Sequence, residues 1–247
     1  MPDLVYDIET SPRPAAELEP LYVPPKRTVP PWDEKLVRYG LMKDEEKRKK
    51  KRDKIFAEHQ DKAVAEEKDI AEHKDEWLSE AALSPVTGIV LAIGVRAGEK
   101  RVIIGEGGES EKDILKAFWS LYRKYATGGR FVGYCSNFFD FPFIVWRSYW
   151  HAIAVPSNAW DKTGRYPAYG FVDLIDRLPK RGFNNESRKL TDICGWLGLG
   201  SKPEGIDGGN FAGLWLSNAD ARQVAVDYLV NDLDMTWALA ERMGVIQ

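Results

Sequence analysis

Residues 4–10 read LVYDIET, and this stretch decides the fold of the chain. It opens with apolar, β-prone residues, which predicts a strand buried within a sheet. Side chains two positions apart on a strand point to the same face, so we expect Asp7 and Glu9 side by side at the end of a core strand. Two neighbouring carboxylates repel each other and lose hydration there unless a cation lies between them. The pair is interpreted either as two surface acids at a strand end or as a divalent metal site with oxygen ligands, Mg²⁺ or Mn²⁺, and it does not decide between them alone.

A second acidic residue, Asp140, stands where a short strand gives way to a helix. Residues 131–134 read FVGY and predict the strand, and the residues after Asp140 are strongly apolar through Trp150. Pro142 suits the first turn of a helix, where its missing N–H has no partner to lose. Asp140 is therefore interpreted either as the N-cap of this helix or as a carboxylate that leans over a cleft at the junction.

A third motif lies in residues 219–243, where apolar and polar residues alternate at helical spacing. Tyr228 and Asp232 are four residues apart, so they share one face of the predicted helix. They form either a surface hydrogen-bonding pair or a water-orienting hydroxyl beside a metal ligand. Asp227 and Asp234 are close in sequence but do not continue the same line.

The three motifs together are far more specific than any one alone: D-x-E on a strand, F-D at a helix start and Y-x-x-x-D on a late helix. In this combination the chain resembles the DEDD exonucleases with a ribonuclease-H-like fold, in the subgroup whose third motif carries tyrosine. It is similar in particular to the 3′–5′ exonuclease domain of family B DNA polymerases and its stand-alone relatives. The resemblance extends over residues 1–12 and 83–247, and includes the stretches 83–94, 172–176 and 189–199.

The resemblance implies an α/β fold, a ribonuclease-H-like mixed β-sheet flanked by helices, with a charged helical insertion. It implies that Tyr228 orients the attacking water. It also implies that four carboxylates hold two divalent cations, Mg²⁺ or Mn²⁺: Asp7, Glu9, Asp140 and Asp232.

Contacts with nucleic acid are expected near the first two motifs, at Thr10, Cys135, Asn137 and Phe139. The family often has asparagine five residues before the second-motif aspartate, and this chain has Cys135 there. Asn137 substitutes for that asparagine, or the contact with the terminal nucleotide is altered. The aromatics near this motif could stack terminal bases, although core packing is the expected task of at least two of Tyr134, Phe138 and Phe139.

Residues 177–189 form a basic loop with one aromatic residue. Arg181 and Lys189 are candidate phosphate contacts at the edge of a single-strand channel, and Phe183 is available to stack on a base. A solvated surface loop is the alternative. Residues 205–211 are expected to form a flexible loop near the site, or only a turn.

The implied reaction is the removal of nucleotides from the 3′ end of single-stranded DNA, with a 5′-mononucleotide as the product and a two-metal mechanism. A 3′-end exonuclease acting on RNA and a non-catalytic nucleic-acid-binding module of the same fold are the alternatives. The four acids and the tyrosine argue against the second alternative.

Length and composition agree with a globular protein, expected here as a single domain over residues 1–247. The chain has two cysteines and three histidines, which disfavours a disulfide framework or a structural zinc site. It contains no apolar stretch of about 18 residues and no secretory signal at its start, so a cytoplasmic location and no membrane partner are expected. The formal net charge of −3 does not exclude nucleic-acid binding, which depends on local basic patches.

Residues 13–82 are predicted to be an insertion between the first and second strands of the sheet. Its start is proline-rich and reads as an extended linker or loop, whereas residues 43–80 are charged, helix-prone and free of Gly and Pro. The second part is interpreted as a solvated helix or helix pair, and the alternative is an arm for a partner such as a polymerase or another replication or repair protein. Within it, residues 47–54 form either a nucleic-acid clamp or an internally paired stretch.

The remaining chain predicts the rest of the sheet. Residues 86–95 and 101–104 are expected to form an antiparallel meander with residues 4–8. Ser110 begins a capping-box motif that predicts a helix to residue 125.

Overall fold

The computed structural model of the protein describes residues 3–125, 128–160, 170–179, 188–202 and 208–246. The strands are β1 (Leu4–Pro12), β2 (Gly88–Ala97), β3 (Lys100–Ile104), β4 (Phe131–Gly133) and β5 (Phe171–Asp173). The α-helices are α1 (Ala15–Leu18), α2 (Glu45–Ser79), α3 (Glu111–Tyr125), α4 (Asp140–Trp150), α5 (Leu190–Leu197), α6 (Gly208–Trp215) and α7 (Ala219–Arg242). None of these described helices is both long and apolar enough to cross a membrane.

The strands form one mixed sheet in the order β3-β2-β1-β4-β5. The pairs β1–β2 and β2–β3 are antiparallel, which confirms the predicted meander. The pairs β1–β4 and β4–β5 are parallel, and α3 and α4 belong to the connections that parallel strands require. The predicted α/β fold with a mixed sheet flanked by helices is confirmed.

Both faces of the sheet are covered by helices, so β1 is buried on both sides. Leu4, Tyr6 and Ile8 pack in a cluster that includes residues of α3 and α4. Val5 packs on the other face with residues of α5 and α7. Because side chains alternate along a strand, Asp7 and Glu9 belong to the face that carries α5 and α7.

The two acids of β1 lie inside the strand rather than at its end, where the sequence placed them. Antiparallel pairing with β2 continues to Pro12, which lies opposite Gly88, and long-range pairing of this kind leaves no signal in residues 4–10 themselves. The parallel partner β4 pairs only with Leu4 and Val5. Asp7 and Glu9 are therefore beyond the end of the β1–β4 pairing. The β1–β2 register shifts directly after Glu9, a β-bulge of the kind often found next to functional sites.

The chain divides into two compact units, Met1–Arg13 with Ala82–Gln247, and Pro14–Ala81. The first unit contains the sheet and helices α3 to α7. The second contains α1 and α2 and falls within the predicted insertion. One domain carrying an inserted segment stays a prediction.

The second unit is built on α2, a single continuous helix of 35 residues. It begins after Asp44, whose side chain accepts a hydrogen bond from the Lys47 N–H at 3.1 Å. A helix pair was one of two expected forms and is wrong, because no residue breaks the helical ladder. The proline-rich segment before α2 is mostly irregular after α1, and it packs on the helix: the Trp32 ring lies 4.9 Å from that of Phe56.

Candidate metal centre

Close packing of α7 on the sheet places the third motif beside the first. Gly94 of β2 lies opposite Asp7 of β1. A Cβ atom at Gly94 would come within 2.9 Å of Leu233 Cδ1 and 3.0 Å of Leu229 Cγ, so only glycine lets α7 lie this close. Tyr228 and Asp232 are thereby held over the part of β1 that carries the two acids.

Three carboxylates of two distant segments converge at this position. One carboxylate oxygen each of Asp7, Glu9 and Asp232 lies within 4.8 Å of the other two. Glu9 and Asp232 are only 8% and 6% exposed, and Asp7 is partly buried. The spacing and the all-oxygen chemistry suit a hard divalent cation.

Asp140 joins the group from the start of α4. Phe139 occupies the cap position and has no side-chain cap bond, so the interpretation of Asp140 as the N-cap is wrong. Its Oδ1 instead accepts a hydrogen bond from the backbone N–H of Ile8 at 3.1 Å. The charge of Asp140 also raises the pKa of Asp7, but Asp140 is not among the three carboxylates that lie within 4.8 Å of one another. The second-motif acid is thus aimed at β1 by a contact between residues far apart in sequence.

A buried aspartate at the end of β5, Asp173, fixes the turn that leads to Asp140. Its carboxylate accepts hydrogen bonds from the N–H groups of Cys135 at 2.8 Å and Asn137 at 2.9 Å. Cys135 has a positive φ of 61°, and a Cβ atom at Gly133 would lie 2.4 Å from Ser136 Cβ, so the turn is tight and strained. Sequence reasoning placed residues 172–176 within the resemblance but assigned Asp173 no role.

The four acids have raised pKa values, as expected for crowded carboxylates out of water. Burial holds the pKa of Asp7 well above its usual range, and the charges of Asp140 and Asp232 raise it further. Burial followed by the charge of Asp232 does the same for the pKa of Glu9. Burial raises the pKa of Asp140 to about 7 and also raises that of Asp232.

One cation of the protein, Lys202, lies at this cluster, and sequence reasoning missed it. Its Nζ donates hydrogen bonds to Asp232 Oδ2 at 2.8 Å and to the Tyr228 hydroxyl. Burial lowers the pKa of this ammonium, but the charge of Asp232 and the hydrogen bonds to Asp232 and Tyr228 together outweigh burial and leave the pKa raised. No local pattern distinguishes Lys202 from the other lysines of the chain.

The cluster remains short of positive charge and of hydrogen-bond donors. Asp232 Oδ1 is buried and has no hydrogen-bond partner among the described residues. A buried, unpartnered carboxylate oxygen beside two further carboxylates fits a divalent cation better than any bond within the protein. The residues present therefore fit the metal ions that the sequence implies.

The nearby acids of α7 have other partners. Asp227 accepts a hydrogen bond from Gln223 at 2.9 Å. Asp234 forms ion pairs with Arg96 at 2.8 Å and Arg101 at 2.6 Å. Neither residue lies on the helix face that Tyr228 and Asp232 share, which agrees with the helical spacing.

The predicted nucleic-acid contacts near the first two motifs are partly engaged within the protein. The Thr10 hydroxyl is buried and donates to the Ala82 carbonyl at 2.8 Å. The Asn137 amide donates to Asp176 at 3.2 Å, and the Phe139 ring lies 5.5 Å from that of Phe143. Cys135 is partly buried, and burial raises the pKa of its thiol. The roles of these residues toward nucleic acid stay predictions.

The aromatics around the second motif divide as expected. Phe139 and Tyr134 pack against hydrophobic clusters on opposite faces of the sheet. Phe138 is 72% exposed. It is therefore the aromatic available to a ligand.

The predicted loops lie largely beyond the described part of the chain. Arg181, Phe183 and residues 203–207 are outside the described residues, and Lys189 lies directly before α5. Residues 208–211 begin α6, so the prediction of a loop is wrong there. Apolar residues such as Phe211 and Trp215 pack this short helix on the sheet and α7.

The fold and the cluster define an α/β protein with a mixed sheet and an acidic centre suited to divalent cations. The sequence model of the family described as "Predicted 3′-5′ exonuclease related to the exonuclease domain of PolB" matches residues 76–247. The match covers more than half of the chain, and the chain belongs to this family.

A solved structure supports the fold. The family B DNA polymerase from the hyperthermophilic archaeon Pyrobaculum calidifontis superposes with a TM-score of 0.53 at 19% identity, over 67% of this chain and 23% of that chain. This chain thus matches less than a quarter of the polymerase, and at this identity the likeness shows the fold alone. A comparison with curated proteins gives no match.

Proposed function

We propose that the protein is a metal-dependent 3′–5′ exonuclease that releases nucleoside 5′-monophosphates from the 3′ ends of single-stranded DNA by a two-metal mechanism. The convergence of Asp7, Glu9 and Asp232 within 4.8 Å carries the proposal. Membership of a family of predicted 3′–5′ exonucleases supports the reaction class, and the relation of that family to a DNA polymerase domain supports DNA as the substrate.

The four carboxylates would hold two Mg²⁺ or Mn²⁺ ions. When bound, the cations lower the pKa of a water molecule and stabilise negative charge on the leaving 3′ oxygen. The pKa values of Asp7 and Asp140 are raised, so both groups would have to lose their protons before they act as ligands. Lys202 offsets part of the charge at Asp232 through its 2.8 Å contact.

Tyr228 would position the attacking water by hydrogen bonding. Burial raises the pKa of its phenol to about 12, so it remains neutral at physiological pH. A neutral phenol can donate to and accept from a water molecule but is a poor base. Its hydroxyl already accepts a hydrogen bond from Lys202, which fixes its direction.

The exposed ring of Phe138 would contact the 3′ end of the DNA strand. It stands two residues before Asp140 and is 72% exposed. Aromatic side chains stack on bases with little dependence on sequence, which suits an enzyme that removes each nucleotide in turn.

The test is degradation of single-stranded DNA labelled at either the 5′ or the 3′ end, with Mn²⁺ or with EDTA. A 3′–5′ exonuclease gives a ladder of shortening products from the 5′ label and free mononucleotide at once from the 3′ label. Asp7→Asn should remove the activity, and Asp227→Asn should retain it because Asp227 contacts Gln223 and not the cluster.

RNA of the same sequence separates the substrate classes. Faster degradation of the RNA would transfer the proposal to RNA 3′ ends. Binding of either polymer without Mn²⁺-dependent degradation would identify a non-catalytic module and overturn the proposal.

A further inference from the structure

The long helix of the second unit carries opposite charges in its two parts. Residues 47–54 contain seven basic side chains and one acidic side chain. Residues 55–79, the rest of α2, contain eight acidic and three basic side chains. Positive charge is therefore concentrated in two turns of a chain whose formal net charge is −3.

One face of α2 is covered by the segment that precedes it, which runs antiparallel to the helix. Tyr22 lies beside Trp77 and Trp32 beside Phe56, with ring centroids 5.3 and 4.9 Å apart. In the basic part, this segment engages Lys51, which donates to the Arg38 carbonyl at 2.6 Å. Arg48 and Arg52 are engaged in the same way, by Met42 at 2.7 Å and by Glu34 at 3.8 Å.

The other basic residues are exposed, and their charges are weakly compensated. Lys50 and Lys54 contact Glu46 at 3.0 Å and Glu58 at 3.9 Å, and the lysine side chains are each 76% exposed in these pairs. Lys47, 73% exposed, lies 3.8 Å from Asp44. Lys49 has no ion-pair partner within residues 3–125. Exposed pairs of this kind contribute little and are screened by salt, so the surface stays positive.

The basic run does not help to form α2. Like charges three and four residues apart destabilise a helix by about 0.2–0.5 kcal/mol per pair. Lys47 faces both Lys50 and Lys51, and Lys50 faces Lys54. Lys47, Lys50 and Lys54 are about three-quarters exposed and make only long or solvent-exposed ion pairs, so their concentration is explained better by an anionic ligand than by folding.

We propose that the exposed basic part of α2, formed by Lys47, Lys49, Lys50 and Lys54, binds the phosphate backbone of single-stranded nucleic acid. The flexible ammonium groups of lysine suit phosphates at irregular spacing and read no bases. The choice of a polyphosphate over an acidic protein rests on the proposed function of the first unit. The surface would add affinity for long strands without selecting their sequence.

The test compares two variants with equal changes of net charge. K47Q/K49Q/K50Q/K54Q removes the exposed basic surface, and K62Q/K68Q/K112Q/K116Q removes four exposed lysines elsewhere. Glutamine is a good helix former, so circular dichroism should show unchanged helix content in both. Binding of a long fluorescent oligothymidylate is measured by anisotropy in EDTA over a range of salt concentrations.

The first variant should bind about tenfold more weakly at roughly 0.1 M salt, because fewer counterions are released from the strand. Its plot of log K against log salt should flatten by about 2–3, at roughly 0.7 per lost phosphate contact. The second variant should keep the affinity and slope of the unaltered protein. Equal affinities and slopes in all three proteins would overturn the proposal, and an acidic protein would then be the better occupant.

A small substrate separates this inference from the proposed function. Hydrolysis of a thymidine 5′-phosphate nitrophenyl ester should be equal in the first variant and the unaltered protein, because the ester is too short to use a second surface. A parallel loss of ester hydrolysis would overturn the proposed separation of roles. If the unaltered protein hydrolyses no substrate, the proposed function fails, and the anisotropy comparison still decides whether α2 binds the polymer.

Discussion

Two groups of buried acidic side chains in the first unit differ in how the protein balances their charge. Glu111, at the start of α3, contacts Arg147 and His151. Among the described residues, the cluster of Asp7, Glu9, Asp140 and Asp232 has Lys202 as its one cationic partner, in contact with Asp232. The difference distinguishes a structural ion cluster from the proposed metal site.

Glu111 is satisfied on both oxygens. Arg147 donates to Oε1 and Oε2 at 2.8 and 2.7 Å, and the Val90 N–H and His151 Nε2 complete the set at 2.8 and 2.6 Å. Burial alone would raise the pKa of Glu111, but these hydrogen bonds outweigh burial and lower it. The bidentate pair links α3 to α4 and leaves no requirement for a ligand.

At the metal centre, burial of the carboxylates outweighs the hydrogen bonds and ion pairs that they make. Burial raises the pKa of all four acids, repulsion within the cluster raises those of Asp7 and Glu9 further, and one oxygen of Asp232 has no partner among the described residues. The same unit shows at Glu111 that it can pair a buried carboxylate completely. The deficit at the metal centre is therefore read as the requirement of a bound cation, at a cost in stability when no cation is present.

The largest effect should follow from removing a charge at the metal centre. Asp232→Asn should lower DNA hydrolysis by about 10³-fold or more, equivalent to about 4 kcal/mol of transition-state stabilisation. The metal-free variant should melt no lower than the unaltered protein, because one repelling charge is gone. Hydrolysis rates and melting in EDTA check both expectations.

Asp227→Asn is the matched control on the same helix and should change neither quantity. A strongly destabilised Asp232→Asn protein would contradict the account, because it would mean that Asp232 is needed for folding, as a paired acid is.

A substitution at the Glu111 cluster should have the opposite effect, with stability reduced and hydrolysis retained. Arg147→Met leaves Glu111 buried without its main partner, which should reduce the free energy of unfolding by about 3–5 kcal/mol. For a chain of this size that lowers the melting temperature by roughly 6–20 °C. Hydrolysis at a temperature where the variant is folded should stay near the level of the unaltered protein.

Arg123→Met alters an exposed arginine of α3 and serves as the control, with little change in either property. A variant at Arg147 that keeps full stability but loses hydrolysis would contradict the structural role assigned to the Glu111 cluster.

The two clusters should also differ in their response to pH. The pKa values at the metal centre are raised in the folded protein, so their contribution to stability is present below the unfolded value of about 4 and is lost as pH rises through the folded values. Burial raises the pKa of Asp140 to about 7, so the metal-free protein should melt several degrees lower at pH 7.5 than at pH 5. Mn²⁺ should reverse this trend, because only the ionised carboxylates bind it.

The contribution of Glu111 to stability should change with pH only in the acid range. Its pKa is lowered on folding, so its contribution is present above its unfolded value of about 4.3 and is lost as pH falls below that value. Comparing melting of the unaltered protein and Glu111→Gln from pH 3 to 8 isolates this part. The difference in melting temperature between the two proteins should shrink only at the acid end; shrinkage between pH 5 and 7.5 would contradict the assignment.

A smaller loss of hydrolysis than at Asp232 is expected at Tyr228. Tyr228→Phe removes the hydroxyl that positions water but keeps the ring that packs with Phe211. Hydrolysis should fall by about 10–100-fold, equivalent to roughly 1.4–2.7 kcal/mol, with Mn²⁺ affinity unchanged. Tyr125→Phe on α3 is the control, and a parallel loss of Mn²⁺ binding in Tyr228→Phe would assign the tyrosine to the metal ligands instead.

Local spacing predicted much of the fold and singled out acids that the structure brings together. The two-residue spacing of Asp7 and Glu9 and the four-residue spacing of Tyr228 and Asp232 each set one face of one element. The meander followed from alternating apolar residues. These signals are contained within short windows, so the sequence alone exposes them.

Long-range contacts could not be predicted in this way. The full length of β1 depends on its pairing with β2, and the aim of Asp140 depends on the Ile8 N–H, 132 residues away. Lys202 and Asp173 have no local pattern that marks them. The structural pairing of Glu111 with Arg147, 36 residues apart, was likewise invisible, and so was the contrast between the two acidic clusters.

Anomalous diffraction from a crystal soaked in Mn²⁺ tests the central claim most directly. We expect strong peaks among the carboxylates of Asp7, Glu9, Asp140 and Asp232, with Lys202 displaced from Asp232, and no peak at Glu111. Well-ordered crystals in which Mn²⁺ occupies other acids while this cluster binds none would contradict the account.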